Sequence, residues 1–188
     1  RPPRPTLFPY TTLFRSRSVT VEGRRLIGHN TDAPAFRDTL SSLITHHSSL
    51  ITKSFILGTG GAAKAVAYAL GQLGISYTFV SRHPEQHENS IGYPQLFTFH
   101  LSPFTLIVNA TPVGMYPFVD ACPLNFDDLQ FSNSQFVYDL VYNPSPTRLM
   151  REAAARGAQV KDGLEMLHRH AELSWEFFQF LPFSCPIR

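Results

Sequence analysis

Gly58-Thr59-Gly60-Gly61-Ala62-Ala63 reads G-x-G-x-x-A. The first glycine lets a chain turn sharply. The second lets the main chain approach an anion with no Cβ in the way, and a small third residue lets a helix lie close to a strand. A helix opening at such a turn aims its unpaired N–H groups and its dipole at a phosphate. The chemistry suggested is capture of a dinucleotide's pyrophosphate. A plain tight turn is the competing reading, and context decides between them. Here an apolar run, Phe55-Ile56-Leu57, precedes the glycines, and a segment rich in small residues, Ala62 to Leu73, follows them. That context favours phosphate binding at this turn, with Gly58 turning the chain and Gly60 letting it approach the anion.

The next strand-like run, "ISYTFVSR", ends at Ser81-Arg82. NAD-binding domains place a carboxylate about 20 residues past the glycines to hold the ribose hydroxyls. A carboxylate repels a 2′-phosphate, whereas a guanidinium pairs with it. Ser81 and Arg82 therefore favour NADP, unless Arg82 is simply a solvated residue after a strand. Asp32, in Asn30-Thr31-Asp32, is either a helix N-cap or a carboxylate for acid–base work, and the two roles are compatible. His83 and His87, and His168 and His170, are spaced as pairs without a supporting acid or cysteine cluster, so no metal site is expected. No G-x-S-x-G nucleophile turn is present. The sixteen Phe and seven Tyr are not interleaved with basic runs, which reads as core and not as a nucleic-acid stacking platform.

The elements that must position these residues follow from periodicity. "SVTVEGRRLIGHNTD" alternates as a hairpin, with Val19 and Val21 on one face, a turn at Glu22-Gly23, then Leu26 and Ile27. A helix follows, with Pro34 in its first turn and Phe36, Leu40, Leu43 and Ile44 at helical spacing. Phe55–Leu57, Ile75–Arg82, Leu106–Thr111 and Phe136–Tyr142 read as buried strands. About fifteen residues after Arg82 read as polar loop. Thr147 to Arg156 reads as a helix closed by Gly157, and Ala158 to Lys161 as a last short strand. Gly163 to about Phe180 reads as a final helix with Leu164, Leu167, Ala171, Leu173 and Trp175 among its apolar positions. Alternating strands and helices predict an α/β fold, a doubly wound parallel sheet with helices on both faces.

Composition sets the outer bounds. The chain has 188 residues, 43% of them hydrophobic and 16% charged, with a formal net charge of +2. That near-neutral balance asks for neither nucleic acid nor an anionic membrane as partner. No apolar run approaches the roughly 20 residues that span a bilayer. Cys122 and Cys185 form neither a disulfide framework nor a zinc signature, so a reducing cytoplasm is the expected compartment. Residues 1–17 are rich in Pro, Thr, Phe and Arg without period. They read as a non-native or disordered segment and not as a signal peptide.

Several stretches together are similar to one family. "GHNTD", "LGTGGAAKAV", "VSR", "VNATPVGM", "YDLVYNPSPTRL" and "DGLEMLHRHA" occur in the order and spacing of shikimate dehydrogenases, over Val19 to Phe180. The resemblance implies NADP-dependent interconversion of 3-dehydroshikimate and shikimate in the aromatic (chorismate) pathway. It also implies roles: Asp32 as the acid of a Lys–Asp catalytic pair that contacts substrate; Gly58, Gly60, Gly61 and Ala62 at the pyrophosphate; Ser81 and Arg82 at the 2′-phosphate. Asn109, Ala110, Thr111 and Met115 would lie along the nicotinamide, Gly163 and Met166 would border it, and Tyr142 would reach the substrate carboxylate.

Three departures stand out. His170 occupies the place of a substrate-binding Gln and brings a pH-dependent charge. Ala33-Pro34-Ala35 follows "NTD" in place of a Gly-x-Gly pattern. No second basic residue follows Arg82 except His83. The family's serine pair and Pro-x-Lys catalytic lysine are also not found. The lysines are Lys53, Lys64 and Lys161, none in that setting. The expected organisation is a segment 1–17, a hinge segment and connecting helix 18–50, an NADP-binding domain 51–162, and a helix and tail 163–188. A chain of that kind is expected to bind NADPH, to turn substrate over poorly, to leave Leu167, Leu173, Trp175 and Phe178 without packing partners, and to associate with itself or another chain through such exposed apolar residues. A quinate/shikimate dehydrogenase-like relative and a non-catalytic NADP-binding module are the alternatives.

Overall fold

Short runs of β-branched and aromatic residues become the strands of a parallel sheet in the computed structural model, which describes residues 18–22, 25–44, 51–98, 105–126, 131 and 134–179. The segment 1–17 and the Glu22-Gly23 turn expectation fall wholly or partly outside the described residues. Strands β1 (Ser18–Glu22) and β2 (Arg25–His29) pair antiparallel with Ser18 opposite His29, the hairpin that the alternation predicts. Helix α1 (Asp32–Ile44) follows. The main sheet comprises β3 (Lys53–Leu57), β4 (Ser76–Ser81), β5 (Ser90–Gly92), β6 (Thr105–Asn109), β7 (Phe136–Asp139) and β8 (Gln159–Lys161). Its order is β5-β4-β3-β6-β7-β8, parallel throughout. The chain starts at the middle of the sheet and winds outward in both directions. This is the Rossmann-like arrangement, and it opens a crevice beyond the carboxyl ends of β3 and β6, where the winding reverses.

Alternation along each strand feeds two cores. Ile56, Leu106, Val108, Phe136 and Tyr138 face α1, α2 (Gly61–Gln72) and α5 (Leu164–Gln179). Phe55, Leu57, Ile107, Val137 and Val80 face α3 (Tyr93–Thr98) and α4 (Arg148–Ala155). Period-2 side chains on a sheet covered on both sides explain the unbroken apolar runs.

α1 is tied to the sheet at its first turns. Phe36 stacks on Tyr138 at 5.1 Å between ring centres, and the Tyr138 hydroxyl lies 2.7 Å from Thr39 Oγ1, which donates to the Ala35 carbonyl. The Tyr138 phenol is pushed well above its ordinary range, chiefly by burial, so it stays a neutral hydrogen-bonding group.

Four local features depart from the sequence reading. The polar loop after Arg82 contains a 3₁₀ turn (Pro84–Gln86), strand β5 and helix α3. A three-residue edge strand is too short to show a period. β7 stops at Asp139, so Leu140 to Tyr142 lie beyond the strand. The cap of α1 is Asn30, whose Oδ1 accepts from Ala33 N–H at 3.0 Å, and Asp32 is the first helical residue. Finally, α5 carries two apolar stripes. Met166 and Leu173 pack with the core, correcting the expectation that Leu173 lacks a partner. Leu164, Leu167 and Trp175 are exposed, because only the first stripe faces α1. The side chain of Phe178 lies outside the described residues.

Candidate cofactor and substrate site

The β3–α2 turn has the geometry of an anion cradle. Gly58 sits at φ +99°, and a Cβ there would come within 3.0 Å of Thr111 Cγ2. Glycine is required on both counts. At Gly60 and Gly61 an added Cβ would meet nothing within 4 Å, so the main chain there faces open space. Gly60 caps α2 without any side-chain hydrogen bond. The N–H groups of the first turn of a helix have no intrahelical acceptors, and here no side chain supplies one at the cap. Ala63, third in the G-x-G-x-x-A pattern, is fully buried against the sheet. The fit to a pyrophosphate rests on this uncapped, side-chain-free helix start.

Among the described residues, two of the cavities beside the cradle are bordered by residues expected at the site. The larger, about 580 Å³, runs along the carboxyl ends of β3, β4 and β6, bounded by Gly58, Gly60, Ser81, Arg82, Tyr93 and Thr111. Ser81 is buried, and its Oγ accepts from His83 N–H at 3.0 Å, which fixes the turn that presents Arg82. Arg82 is exposed, and its guanidinium makes no ion pair among the described residues. Tyr93 feels it: burial pushes the phenol up, and the Arg82 charge opposes that. His87 is pinned to the glycine turn by a 3.0 Å hydrogen bond between its Nε2 and Thr59 Oγ1. His83 lies 3.6 Å from Glu85. A volume of this size suits a nucleotide.

The smaller cavity, about 290 Å³, lies on the other side of the α2 start. It is bounded by Asp32, Ala62, Leu140, Tyr142, Gly163, Met166, Leu167 and His170. Six of these eight are residues that the sequence places at the site; Leu140 and Leu167 are not among them. Asp32 and His170 are close, with Oδ1 and Nδ1 3.4 Å apart. Gly163 has a packing reason to be glycine, since a Cβ would lie 2.2 Å from the Leu140 carbonyl oxygen. It thereby lets α5 begin directly against the β7 exit. Asp162 caps that helix, accepting from Leu164 N–H at 3.2 Å.

Not every candidate reaches a cavity. Asn109 is buried and bounds neither one. Its Oδ1 accepts from Thr111 N–H at 3.1 Å and Thr111 Oγ1 at 2.6 Å, so it shapes the turn that carries Ala110 and Thr111 to the larger cavity. Met115 is exposed and bounds neither cavity.

Sequence reasoning missed the group that holds this turn. Asp139 is fully buried at the end of β7. It accepts from Asn109 Nδ2 at 2.8 Å, Val141 N–H at 3.0 Å and Thr147 Oγ1 at 2.6 Å. Thr147 in turn caps α4 by accepting from Met150 N–H. Burial pushes the Asp139 carboxyl up, while the bonds from Thr147, Val141 and Asn109 pull it down. The only sequence signal is an acid inside an apolar run, "FVYDLVY".

No protein-family model matches the chain. Individual relatives do. A shikimate dehydrogenase (NADP(+)) from Thermosynechococcus vestitus is 34% identical over 165 residues, 81% of this chain and 57% of the relative. One from Carboxydothermus hydrogenoformans is 33% identical over 179 residues, 88% of this chain and 62% of the relative. Among solved structures, shikimate 5-dehydrogenase from Thermus thermophilus in complex with NADP(H) and shikimate superimposes with a TM-score of 0.69 at 31% identity, covering 87% of this chain and 61% of that one. The chain thus spans about three fifths of the length of the curated relatives it matches. Over that span the chain belongs to the shikimate dehydrogenase family.

Proposed function

We propose that the chain binds NADP(H) along the larger cavity and contributes to the interconversion of 3-dehydroshikimate and shikimate at the smaller one. The observation that carries this is the placement of the α2 start. Gly58 and Gly60 border one cavity and Ala62 the other, so one extended cofactor lying over the cradle can reach both. Gly58, Gly60, Gly61 and Ala62 hold the pyrophosphate. Ser81 sets the turn, and Arg82 pairs with the 2′-phosphate. Ala110 and Thr111 border the path from the cradle toward the nicotinamide, and Gly163 and Met166 close its far end. The cofactor supplies hydride to a ketone carbon; the protein supplies orientation and a proton-bearing group. Asp32 and His170 orient substrate hydroxyls, and Tyr142 meets its carboxylate.

None of the three lysines borders the smaller cavity: Lys53 lies over the Phe55 ring, Lys64 is exposed and Lys161 pairs with Glu165. That observation favours a second reading, an NADP-binding unit with little turnover of its own, since a general acid commonly contributes about 10²–10⁴-fold. Calorimetric titration of the 188-residue chain with NADPH and NADH tests the cofactor assignment, and NADPH oxidation with 3-dehydroshikimate separates the two readings. Tighter binding of NADH than of NADPH would defeat the cofactor assignment.

A further inference from the structure

The smaller cavity holds an acid and an imidazole in a fixed relation. His170 sits on α5 and Asp32 on α1, yet Nδ1 of His170 lies 2.6 Å from Thr31 Oγ1 and 3.4 Å from Asp32 Oδ1. Thr31 is itself held, with its hydroxyl 3.3 Å from Ser174 Oγ on the next turn of α5. Both polar contacts converge on Nδ1. Nε2 has no hydrogen-bond partner among the described residues, and the ring borders the cavity. The ring orientation is therefore set from behind, and one nitrogen is left for a ligand. The other titratable groups bordering the cavity are Asp32 from α1 and Tyr142 from the segment after β7. Arg169, the neighbour on α5, is turned away to Asp38 at 3.0 Å and Glu172 at 3.1 Å. Among the residues bordering the cavity, His170 is the one that can become a cation.

We propose that His170 is the proton-bearing group of this cavity: with Nδ1 held by Thr31 and Asp32, its Nε2–H is presented to a carboxylate or hydroxyl oxygen of the ligand. The inference rests on the substrate reading above. Histidine changes charge between about pH 5 and 8, and Asp32 at 3.4 Å is placed to balance the imidazolium. An anionic hydroxylated ligand such as shikimate meets less negative charge beside Asp32 when the imidazole carries the extra proton than when it does not. Affinity falls as pH rises, because one favourable charge and one donor disappear together.

The test uses the 188-residue chain saturated with NADP+ and has two parts. First, nitrogen-edited NMR of the imidazoles without substrate compares the parent with Asp32→Asn and Thr31→Val. The expected result is a hydrogen-bonded Nδ1 at His170 that changes in both variants while Nε2 exchanges with water. A His170 whose Nδ1 ignores both substitutions would overturn the proposal. Second, shikimate is titrated at pH 5.5 and pH 8 into the parent and His170→Gln, with thermal unfolding to show that both are folded. The parent should bind several-fold more tightly at pH 5.5, with the Nε2 signal moving. His170→Gln, which keeps a donor but carries no charge, should bring the two affinities within about twofold. The same pH ratio in His170→Gln would also overturn it. If NADP+ binds and shikimate does not at either pH, the substrate reading fails, and the first part alone decides whether the Asp32–Thr31–His170 arrangement exists.

Discussion

Replacing Asp139 by Ala removes a carboxylate that borders neither cavity, yet it should be among the most damaging single changes in the crevice. Three donors end on it: Asn109 Nδ2, Val141 N–H and Thr147 Oγ1, at 2.8, 3.0 and 2.6 Å. Hydrogen bonds to a charged group contribute roughly 1.5–3 kcal/mol each, and a buried donor left without an acceptor costs about 1–3 kcal/mol. Two effects reduce the sum. Burial already opposes ionisation of Asp139, so part of the gain is offset in the parent. The Thr147 hydroxyl can also rotate to another acceptor. Val141 N–H is left without that acceptor and Asn109 Nδ2 keeps only its 3.4 Å bond to the Val113 carbonyl, and about 3–5 kcal/mol is expected to be lost. With a urea slope of about 2 kcal/mol/M for a chain of this size, the unfolding midpoint should fall by roughly 1.5–2.5 M. NADPH affinity should fall with it, because Asn109 sets the Thr111 turn. The assay is urea unfolding followed by circular dichroism, with calorimetry for NADPH at concentrations where the variant is folded. A midpoint within about 0.5 M of the parent, at unchanged slope, would refute the claim that this network is satisfied and holds the turn.

The Asp139→Asn variant isolates the pH contribution of the same group. Its native carboxyl is raised by burial, so the native state holds its proton to higher pH than the unfolded chain does. The stability of the parent relative to Asp139→Asn should therefore be greatest in acid and fall as pH rises through the raised native value, then level off; a relative stability that grows with pH in unfolding titrations would reverse the sign. Arg82→Gln should weaken NADPH binding by about 10–100-fold, the worth of a charge-assisted contact, and leave NADH binding nearly unchanged; equal losses for both in calorimetry would remove Arg82 from the 2′-phosphate. Gly163→Ala should destabilise by about 1–3 kcal/mol, as overpacking does, because its Cβ would meet the Leu140 carbonyl at 2.2 Å; a variant with the parent's thermal midpoint would show that α5 can shift freely.

What the sequence by itself determined is local and periodic. The glycine turn, its preceding apolar strand and its following small-residue helix are contiguous, and their meaning is set by steric rules that act over a few residues. The same holds for Ser81-Arg82 at a strand end, and for Gly74 and Gly157, which follow their helices with φ +71° and +93°. What the tertiary structure alone decided is which distant groups meet. The bond of Thr31 to His170 joins residues 139 apart in sequence, and the Asp139 network gathers Asn109 and Thr147 from different elements. β5 and α3 escaped notice because a three-residue edge strand takes its identity from the neighbour it pairs with. Asp32 shows the boundary most sharply: the sequence offered it as a cap, and only the fold assigns the cap to Asn30 and sets the Asp32 carboxylate beside an imidazole. Periodicity reports which face of an element is buried. It carries no information on what the opposite element places there, and a site's chemistry is made of those encounters.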